Sequence, residues 1–183
     1  DMGRIAREGE AMYLFRVVYY SRNAVKKLGL PFSAEIRAIM SSCARHNTPA
    51  GLTGALVFNE QYFAQILEGS RNEVSKALWR IGADRRHEDM VIMEAEAVPC
   101  RRFENWSLGY VGHSEDMDAL YLKFGITVGF DPARMTAASL VGFVSELVRL
   151  GGGVRHLSGG VAQPALRMPG RVTADDGVGS VAN

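Results

Sequence analysis

Two polar residues, Tyr19 and Gln65, lie in apolar runs of the sequence and could do chemistry there. Tyr19 lies at the end of the run 13–20, and Gln65 lies in the middle of the run 62–67. A buried amide without hydrogen-bond partners costs about 1–3 kcal/mol, so Gln65 needs either a neighbouring side chain or a ligand. A phenol near an excited electron acceptor can give up an electron and a proton, and an amide beside it can relay the proton. A strand tyrosine also packs as an ordinary core residue, and both roles stay open for Tyr19.

Further polar residues lie in the two helices that the sequence predicts. His46 and Asn47 close the first helix, either as a C-terminal cap or, for the asparagine, as an amide that recognises a heteroaromatic edge. Arg80 and Asp84 are four residues apart on the second helix. They form a surface ion pair, or they point a donor and an acceptor at one ligand.

A basic cluster follows the second helix and is either a solvated helix end or a phosphate contact. Its members are Arg85, Arg86 and His87. Cys43 and His46 are too few for a metal site, so we expect no metal. The sequence has no glycine-rich phosphate loop and no G-x-S-x-G motif. The sequence therefore indicates a ligand-binding protein, and these residues match no recognised catalytic motif.

Hydrophobic periodicity predicts the elements that position these residues. Strands are expected at 13–20, 55–58, 62–67, 90–98 and 106–111, with a polar turn at 59–61. Ser33 and Ser70 are expected to cap the two helices. The apolar faces of these helices are Ile36, Ile39, Met40 and Cys43 in the first, and Val74, Ala77, Leu78 and Ile81 in the second.

The resulting order is β-α-β-β-α-β-β. It predicts an α+β fold with a ferredoxin-like, five-stranded mixed sheet and two helices on one face. A right-handed first crossover places both helices on the same side of the sheet. The helices then frame a slot above the sheet that suits a flat ligand.

The character of the chain changes after Gly112. We expect a short acidic helix from residue 114 and a longer one that starts at Asp131-Pro132 and ends before the glycines 151–153. The apolar stripe of the longer helix either covers the free face of the sheet, which we favour, or makes a dimer contact. We divide the chain into an N-terminal extension (1–11), a ligand-binding domain (12–112), a helical cap (113–150) and a disordered tail (151–183).

Composition narrows the classes of function. Of the 183 residues, 47% are hydrophobic, and a net charge of +1 gives no electrostatic case for nucleic acid or an anionic membrane as partner. Cys43 and Cys100 show no disulfide spacing, which suits a reducing cytosol. No stretch reaches the roughly 18–20 apolar residues that cross a bilayer, and the N-terminus lacks the core of a signal peptide. We therefore expect a cytoplasmic protein.

Several motifs are distributed over residues 13–111. They are Tyr-Tyr-Ser at 19–21, His-Asn at 46–47, Leu-Thr-Gly at 52–54, Phe-Ala-Gln-Ile-Leu-Glu-Gly at 63–69, Asp-Arg-Arg-His at 84–87 and Arg-Arg-Phe-x-x-Trp at 101–106. Together they resemble the BLUF family, the blue-light sensors that use FAD.

This resemblance implies a bound flavin, FAD or else FMN, with its ring between the two helices. Tyr19 matches the tyrosine that reduces the photoexcited flavin, and Gln65 matches the glutamine between that tyrosine and the ring. The other cofactor-binding positions that the resemblance implies are His46, Asn47, Arg80, Asp84, Arg86, His87, Trp106 and Leu108.

The implied function is that of a photoreceptor and not of an enzyme. Light moves an electron and a proton from Tyr19 to the flavin, the hydrogen bonds of Gln65 rearrange, and the absorption band shifts to the red. The fifth strand and the C-terminal helices pass the signal on. Many members carry methionine where this chain has Leu108, and leucine lacks the polarisable sulfur. We hypothesise that this departure alters the coupling to the fifth strand and the speed of dark recovery.

No cyclase, phosphodiesterase or DNA-binding domain follows Gly112, so the chain resembles the short members of the family. We expect a homo-oligomer that signals to a separate effector, such as a cyclic-di-GMP phosphodiesterase or a response-regulator-like protein. Two other interpretations stay open. One is a small acylphosphatase-like hydrolase, although residues 19–23 provide no phosphate-cradling loop; the other is a flavin-free interaction module in which Gln65 and Asn47 satisfy each other.

Overall fold

The computed structural model describes residues 13–112, 115–126, 129–151 and 154–156. The strands are β1 (Leu14–Asn23), β2 (Thr53–Phe58), β3 (Tyr62–Ser70), β4 (His87–Val98), β5 (Trp106–Tyr110) and β6 (Val154–His156). The helices are α1 (Phe32–His46), α2 (Arg71–Gly82), α3 (Glu115–Lys123) and α4 (Ala137–Leu150), and a 3₁₀ turn lies at Pro132–Arg134.

The strands form one mixed sheet in the order β4-β1-β3-β2-β5-β6. β2 and β5 are parallel, and the other neighbours are antiparallel. The first five strands and two helices confirm the predicted α+β, ferredoxin-like fold. The sequence missed β6, which pairs with Ser107–Gly109, so the expected disorder after Gly151 is wrong for residues 154–156. The rest of the expected tail and the N-terminal extension 1–11 lie outside the described residues.

The helix starts show where local sequence signals hold and where they fail. Ser70 caps α2 as predicted, because its side chain accepts a hydrogen bond of 3.3 Å from the Glu73 backbone N–H. Ser33 does not cap α1. The helix begins at Phe32, two residues earlier than a Ser33 cap implies, and the Pro31 carbonyl oxygen accepts hydrogen bonds from the backbone of residues 34 and 35. Pro31, with φ of −65° and ψ of 108°, is the N-cap and provides no side-chain hydrogen bond to the first turn.

The longer C-terminal helix, in contrast, starts later than predicted. Asp131 caps the 3₁₀ turn through the Ala133 backbone N–H, and α4 begins only after Thr136. Two extended residues, Met135 and Thr136, separate the two elements. α4 ends at Gly151, which adopts the left-handed conformation with φ of 65°. Within the described ranges, no helix is long and apolar enough to cross a membrane.

Side-chain alternation along the strands gives the sheet two apolar faces. One face, with α1 and α2, forms the helix-side cluster, which includes Val17, Tyr19, Leu56, Phe63 and Leu67. The other face, with α3 and α4, forms the cap-side cluster, which includes Val18, Ala55, Val57, Ala64 and Ile66. The apolar stripe of α4 is buried in the cap-side cluster; it consists of Leu140, Phe143, Val144 and Leu147. The stripe therefore covers the sheet.

Gly54 is the position in β2 that leaves least room for a side chain. Its φ is +144°, and a Cβ would lie 1.9 Å from the Ile66 carbonyl oxygen and 3.1 Å from Trp106 Cζ3. A Gly54→Ala substitution should lower the free energy of unfolding by about 2–4 kcal/mol, from steric overlap and backbone strain. Urea unfolding followed by circular dichroism measures this change.

The matched control for this substitution is Gly82→Ala at the end of α2, where a Cβ meets no atom within 4 Å. Alanine there should raise the free energy of unfolding by about 0.5–1 kcal/mol. Equal unfolding midpoints for the Gly54→Ala variant and the unaltered protein would contradict the packing described for β2 and β3.

Candidate functional site

Tyr19 and Gln65 lie directly opposite each other on β1 and β3, beneath α1 and α2. The Tyr19 hydroxyl donates a hydrogen bond to Gln65 Oε1. Both side chains are buried, with exposed fractions of 0% and 2%. Burial, followed by smaller contributions from Cys43 and Asp84, raises the pKa of the Tyr19 phenol well above its ordinary value. The phenol therefore keeps its proton in the resting protein.

Gln65 also lines a cavity of about 50 Å³ between α1, α2 and the sheet. The lining is completed by Ile39, Ser42, Cys43, Asn47, Leu56, Arg80, Ile81, Asp84, Arg86 and His87. Across the described ranges, no residue accepts a hydrogen bond from the Gln65 amide nitrogen. A primary amide has two N–H donors, so Gln65 keeps hydrogen-bonding capacity for a ligand in this cavity.

Asn47 connects the two helices across the cavity. Its backbone N–H caps α1 by binding the Cys43 carbonyl oxygen at 2.8 Å. The residue is buried, with an exposed fraction of 2%. Arg80 of α2 donates a hydrogen bond of 3.0 Å to Asn47 Oδ1. Tyr19 donates to the Gln65 amide oxygen, whereas Arg80 donates to the Asn47 amide oxygen. The flavin-free interpretation requires Gln65 and Asn47 to bind each other, and the described residues show no such hydrogen bond.

His46 lies apart from this set. Its ring is exposed, and Nδ1 lies 2.8 Å from the Ser42 carbonyl oxygen of the preceding turn. His46 does not line the cavity, although the family resemblance implies a contact there. A helix turns by about 100° per residue, so two neighbouring residues at the end of α1 cannot both face α2.

Asp84 does not pair with Arg80. It binds Arg86 through both carboxylate oxygens, with Nε at 2.9 and 3.0 Å, and Arg86 Nη1 also lies 3.1 Å from Glu35 Oε2 of α1. Burial alone raises the pKa of Asp84, but the hydrogen bonds from Arg86 outweigh burial and lower it. Arg86 is thus a structural bridge between α1 and the end of α2, and Asp84 presents a charged acceptor to the cavity.

His87 is held on the same side of the sheet by Ser21 and Phe63. Its Nδ1 lies 2.8 Å from Ser21 Oγ, and its ring centroid lies 4.5 Å from that of Phe63. Burial lowers the pKa of His87 to about 4, so the ring is neutral at pH 7. The spacing of two residues between Tyr19 and Ser21 places both side chains on one face of β1, and this was the available sequence signal for Ser21.

Trp106 and Leu108 are buried on β5 but do not line the cavity. The strand register places Leu56 between Gln65 and Leu108 in one row across the sheet. Two strand spacings, about 10 Å, separate Gln65 from Leu108. Trp106 Nε1 is a buried donor for which the described residues provide no hydrogen-bond partner.

The sequence model of one family, described as sensors of blue light using FAD (BLUF), matches residues 14–109. This match covers more than half of the chain, so the chain belongs to the BLUF family. It is accordingly a flavin-binding protein of the blue-light sensor class.

Relatives and solved structures agree with this assignment. The blue light- and temperature-regulated antirepressor BluF of Escherichia coli (strain K12) is 35% identical over 69 residues, which are 38% of this chain and 17% of that protein. Photoactivated adenylate cyclase subunit beta of Euglena gracilis is 26% identical over 100 residues, 54% of this chain and 11% of that protein. The dark-state structure of BlrB, a BLUF protein, has a TM-score of 0.60 at 27% identity and covers 73% of this chain and 96% of that chain. The matches therefore span only a small part of the two curated relatives.

The depressed pKa of His87 predicts a pH dependence of stability. The unfolded chain binds a proton at His87 near pH 6.5, whereas the folded protein does so only near pH 4. The unfolded state therefore holds more protons between these values, and the free energy of unfolding should fall as pH drops from about 6.5 to 4, by at most about 1.4 kcal/mol per pH unit from this residue. Urea unfolding at several pH values measures this slope.

A His87→Gln variant provides the control, because glutamine keeps a polar group near Ser21 Oγ but does not titrate. Its slope over the same pH window should be smaller than that of the unaltered protein. Equal slopes would show that His87 is not held neutral by its surroundings.

Proposed function

We propose that this chain senses blue light through a flavin held between α1 and α2, with Tyr19 and Gln65 as its photoactive pair. The observation that carries the proposal is the buried hydrogen bond from Tyr19 to Gln65 beside a polar cavity. When bound, the flavin supplies absorption of blue light and an acceptor for one electron. The described residues fit such a group, because Gln65, Asn47, Arg80 and Asp84 line the cavity and together supply hydrogen-bond donors and acceptors.

Three residues around the cavity would recognise the polar edge of the ring. A flavin ring carries carbonyl oxygens that accept hydrogen bonds and an N–H group that donates one. Asn47 can both donate and accept, Arg80 donates, and the ionised Asp84 accepts. Arg80 and Asn47 both line the cavity and are joined by a hydrogen bond, so a bound ring would compete for these two groups.

Tyr19 and Gln65 would carry the proton. In the resting protein the Tyr19 phenol donates to Gln65 Oε1. Loss of an electron makes a phenol strongly acidic, and the proton then leaves along the existing hydrogen bond to the amide oxygen. An amide protonated on oxygen would release a proton from its nitrogen to the group that accepted the electron, which leaves Tyr19 as a neutral radical and Gln65 as a tautomer that can turn. Return of the electron and a proton to Tyr19 would restore the phenol and leave Gln65 in its altered arrangement. The donors and acceptors that it presents to the cavity are then altered, and the protein has two distinguishable states.

The signal is proposed to leave through β5 and the α3–α4 cap to a separate effector. The cap supports this route because α4 buries its apolar stripe against the sheet face opposite the cavity. The two relatives are named as an antirepressor and as a subunit of an adenylate cyclase, so similar sensing units accompany different outputs. A cyclic-di-GMP phosphodiesterase is one candidate class of effector. We propose FAD as the cofactor, as in the family description, and a homo-oligomer in the cytoplasm as the active form.

The proposal predicts the behaviour of a Tyr19→Phe variant. Phenylalanine keeps the packing of the helix-side cluster but lacks the hydroxyl, so the variant should bind flavin and lose the light-induced red shift. Visible spectra before and after blue light, followed by dark recovery, measure the effect. The matched control is Tyr20→Phe. It removes the hydroxyl of the neighbouring tyrosine, whose side chain packs on the cap side and not beside the cavity. A full red shift in the Tyr19→Phe variant would show that Tyr19 is not the donor.

A second prediction concerns Leu108. A Leu108→Met variant should keep the size of the red shift, because Leu56 separates this position from Gln65. Its dark-recovery rate should change at least twofold, because methionine packs β5 less rigidly and adds a polarisable sulfur. Leu67→Met makes the same substitution in the same cluster on β3 and should leave the rate within that limit. Unchanged recovery and output in the Leu108→Met variant would refute a special role for leucine here.

A further inference from the structure

Residues of two sequence motifs to which no flavin contact is assigned meet at one carboxylate. Glu68 belongs to the motif at 63–69 that also contains Gln65, and residues 101–103 are the Arg-Arg-Phe motif of the loop between β4 and β5. The Glu68 side chain is completely buried, with an exposed fraction of 0%. A buried charge is costly unless it is paired and hydrogen-bonded, so the surroundings of Glu68 need an explanation.

Glu68 receives hydrogen bonds from β1 and from the β4–β5 loop. Arg16 of β1 donates from Nε at 2.8 Å and lies within 2.7 Å through Nη2, both at Oε1. The backbone N–H of Arg102 donates to Oε2 at 2.9 Å, and that of Phe103 donates to the same oxygen at 3.0 Å. The carboxylate therefore holds two loop amides and one arginine together, and its charge is balanced by Arg16.

Arg101 fastens the same loop to the start of β2. Its Nη1 donates to the Glu68 carbonyl oxygen at 2.8 Å and to Thr53 Oγ1 at 2.6 Å, and its Nη2 donates to the Gly51 carbonyl oxygen at 2.8 Å. The loop is thus attached through both the side chain and the backbone of Glu68. A displacement of β3 at this residue must move the loop or break several charge-assisted hydrogen bonds.

The loop reaches both faces of the sheet. Phe103 is buried in the cap-side cluster, and Arg102 Nε donates to Ser145 Oγ of α4 at 3.1 Å. Three residues after Phe103, Trp106 begins β5 and is buried in the helix-side cluster. The loop is therefore a covalent and packed connection between the cavity side and α4.

Gln65 and Glu68 lie three residues apart on β3, so their side chains point to opposite faces of the sheet. We propose that Glu68 is a positioning residue that couples Gln65 to α4: it transfers a displacement of β3 to the β4–β5 loop and from there to Phe103, Arg102 and the helix. This inference rests on the proposed function of Tyr19 and Gln65 and adds the connection through which their change leaves the cavity.

The variant that tests the coupling is Glu68→Gln. Glutamine has nearly the same shape, but it carries no charge for Arg16, and its NH2 group meets donors where the carboxylate offered acceptors. The matched control is Glu96→Gln, because Glu96 lies opposite Arg16 on β4 and is exposed. Each full-length, flavin-loaded protein is measured for its red shift, its dark recovery and its amide hydrogen exchange in peptides covering 99–106 and 137–150, in the dark and under blue light.

The coupling predicts a separation of two readouts that a purely structural role would not separate. Glu68→Gln should keep the red shift within about a tenth of its size, because Tyr19 and Gln65 are unaltered. The light-minus-dark difference in hydrogen exchange of 137–150 should fall at least threefold, whereas the control variant should keep it. A full exchange difference in Glu68→Gln would overturn the proposal, as would loss of the red shift in a variant that still binds flavin.

Measurements on the unaltered protein keep the test decisive if Glu68→Gln does not fold. Light should then change the exchange of the peptide containing the Arg102 and Phe103 amides together with that of 137–150, and an unchanged loop peptide would overturn the coupling. A red shift without any exchange difference in 137–150 would overturn the coupling and leave the proposed photoactive pair intact. Absence of the red shift from the unaltered, flavin-loaded protein would remove the proposed function first and the coupling with it.

Discussion

The site depends on one buried contact, the hydrogen bond from Tyr19 to Gln65. In the apolar interior, the phenol is held protonated by burial, and its proton has a single acceptor in the amide oxygen. This contact exists only because β1 and β3 are in one register, since a shift of one residue would turn both side chains to the other face. The packing of Val17 and Leu67 on one face, and of Val18 and Ile66 on the other, fixes that register. The core of the protein thus defines the geometry of its most reactive group.

The two faces of the sheet perform different tasks with the same backbone. On the helix side, polar groups are placed among aliphatic and aromatic side chains around a cavity. On the cap side, apolar contacts surround the buried carboxylate of Glu68, and Tyr121, Phe130 and Phe143 stack at centroid distances of 5.6 and 5.8 Å. Successive side chains of each strand point to alternate faces of the sheet. A displacement of one residue on the cavity side therefore also affects its sequence neighbours, which pack on the cap side. The loop between β4 and β5 adds the second connection between the two sides.

Much of the fold follows from local sequence patterns. The five strands and two helices were predictable because apolar residues repeat with the period of each element, and Ser70 was predictable as a cap because its partner lies three residues away. The pairing of Tyr19 with Gln65 was accessible as well, since both lie in strands that such a fold makes neighbours. β6 was not predictable, because its three residues show no strand pattern and the strand forms only by pairing with the edge of β5.

The candidate site was predicted less completely, because its side chains bind partners that are distant in the sequence. Arg86 binds Glu35, 51 residues earlier, and this contact fixes it as a bridge. His46 turns to its own helix, whereas the adjacent Asn47 reaches α2. Ser21 and His87 meet across 66 residues. No periodic pattern encodes such contacts, so the family motifs located the site while the structure decided which of its members face the cavity.

The short strand β6 has a mechanical consequence. It pairs Arg155 with Leu108 and Val154 with Gly109, so the chain that leaves α4 returns to the sheet beside β5. A strand of three residues has few backbone hydrogen bonds and belongs to the least stable part of a fold. Its separation from β5 would cost only a few backbone hydrogen bonds. Val154–His156 are therefore attached to the strand that begins with Trp106, and their release would depend on the position of that strand.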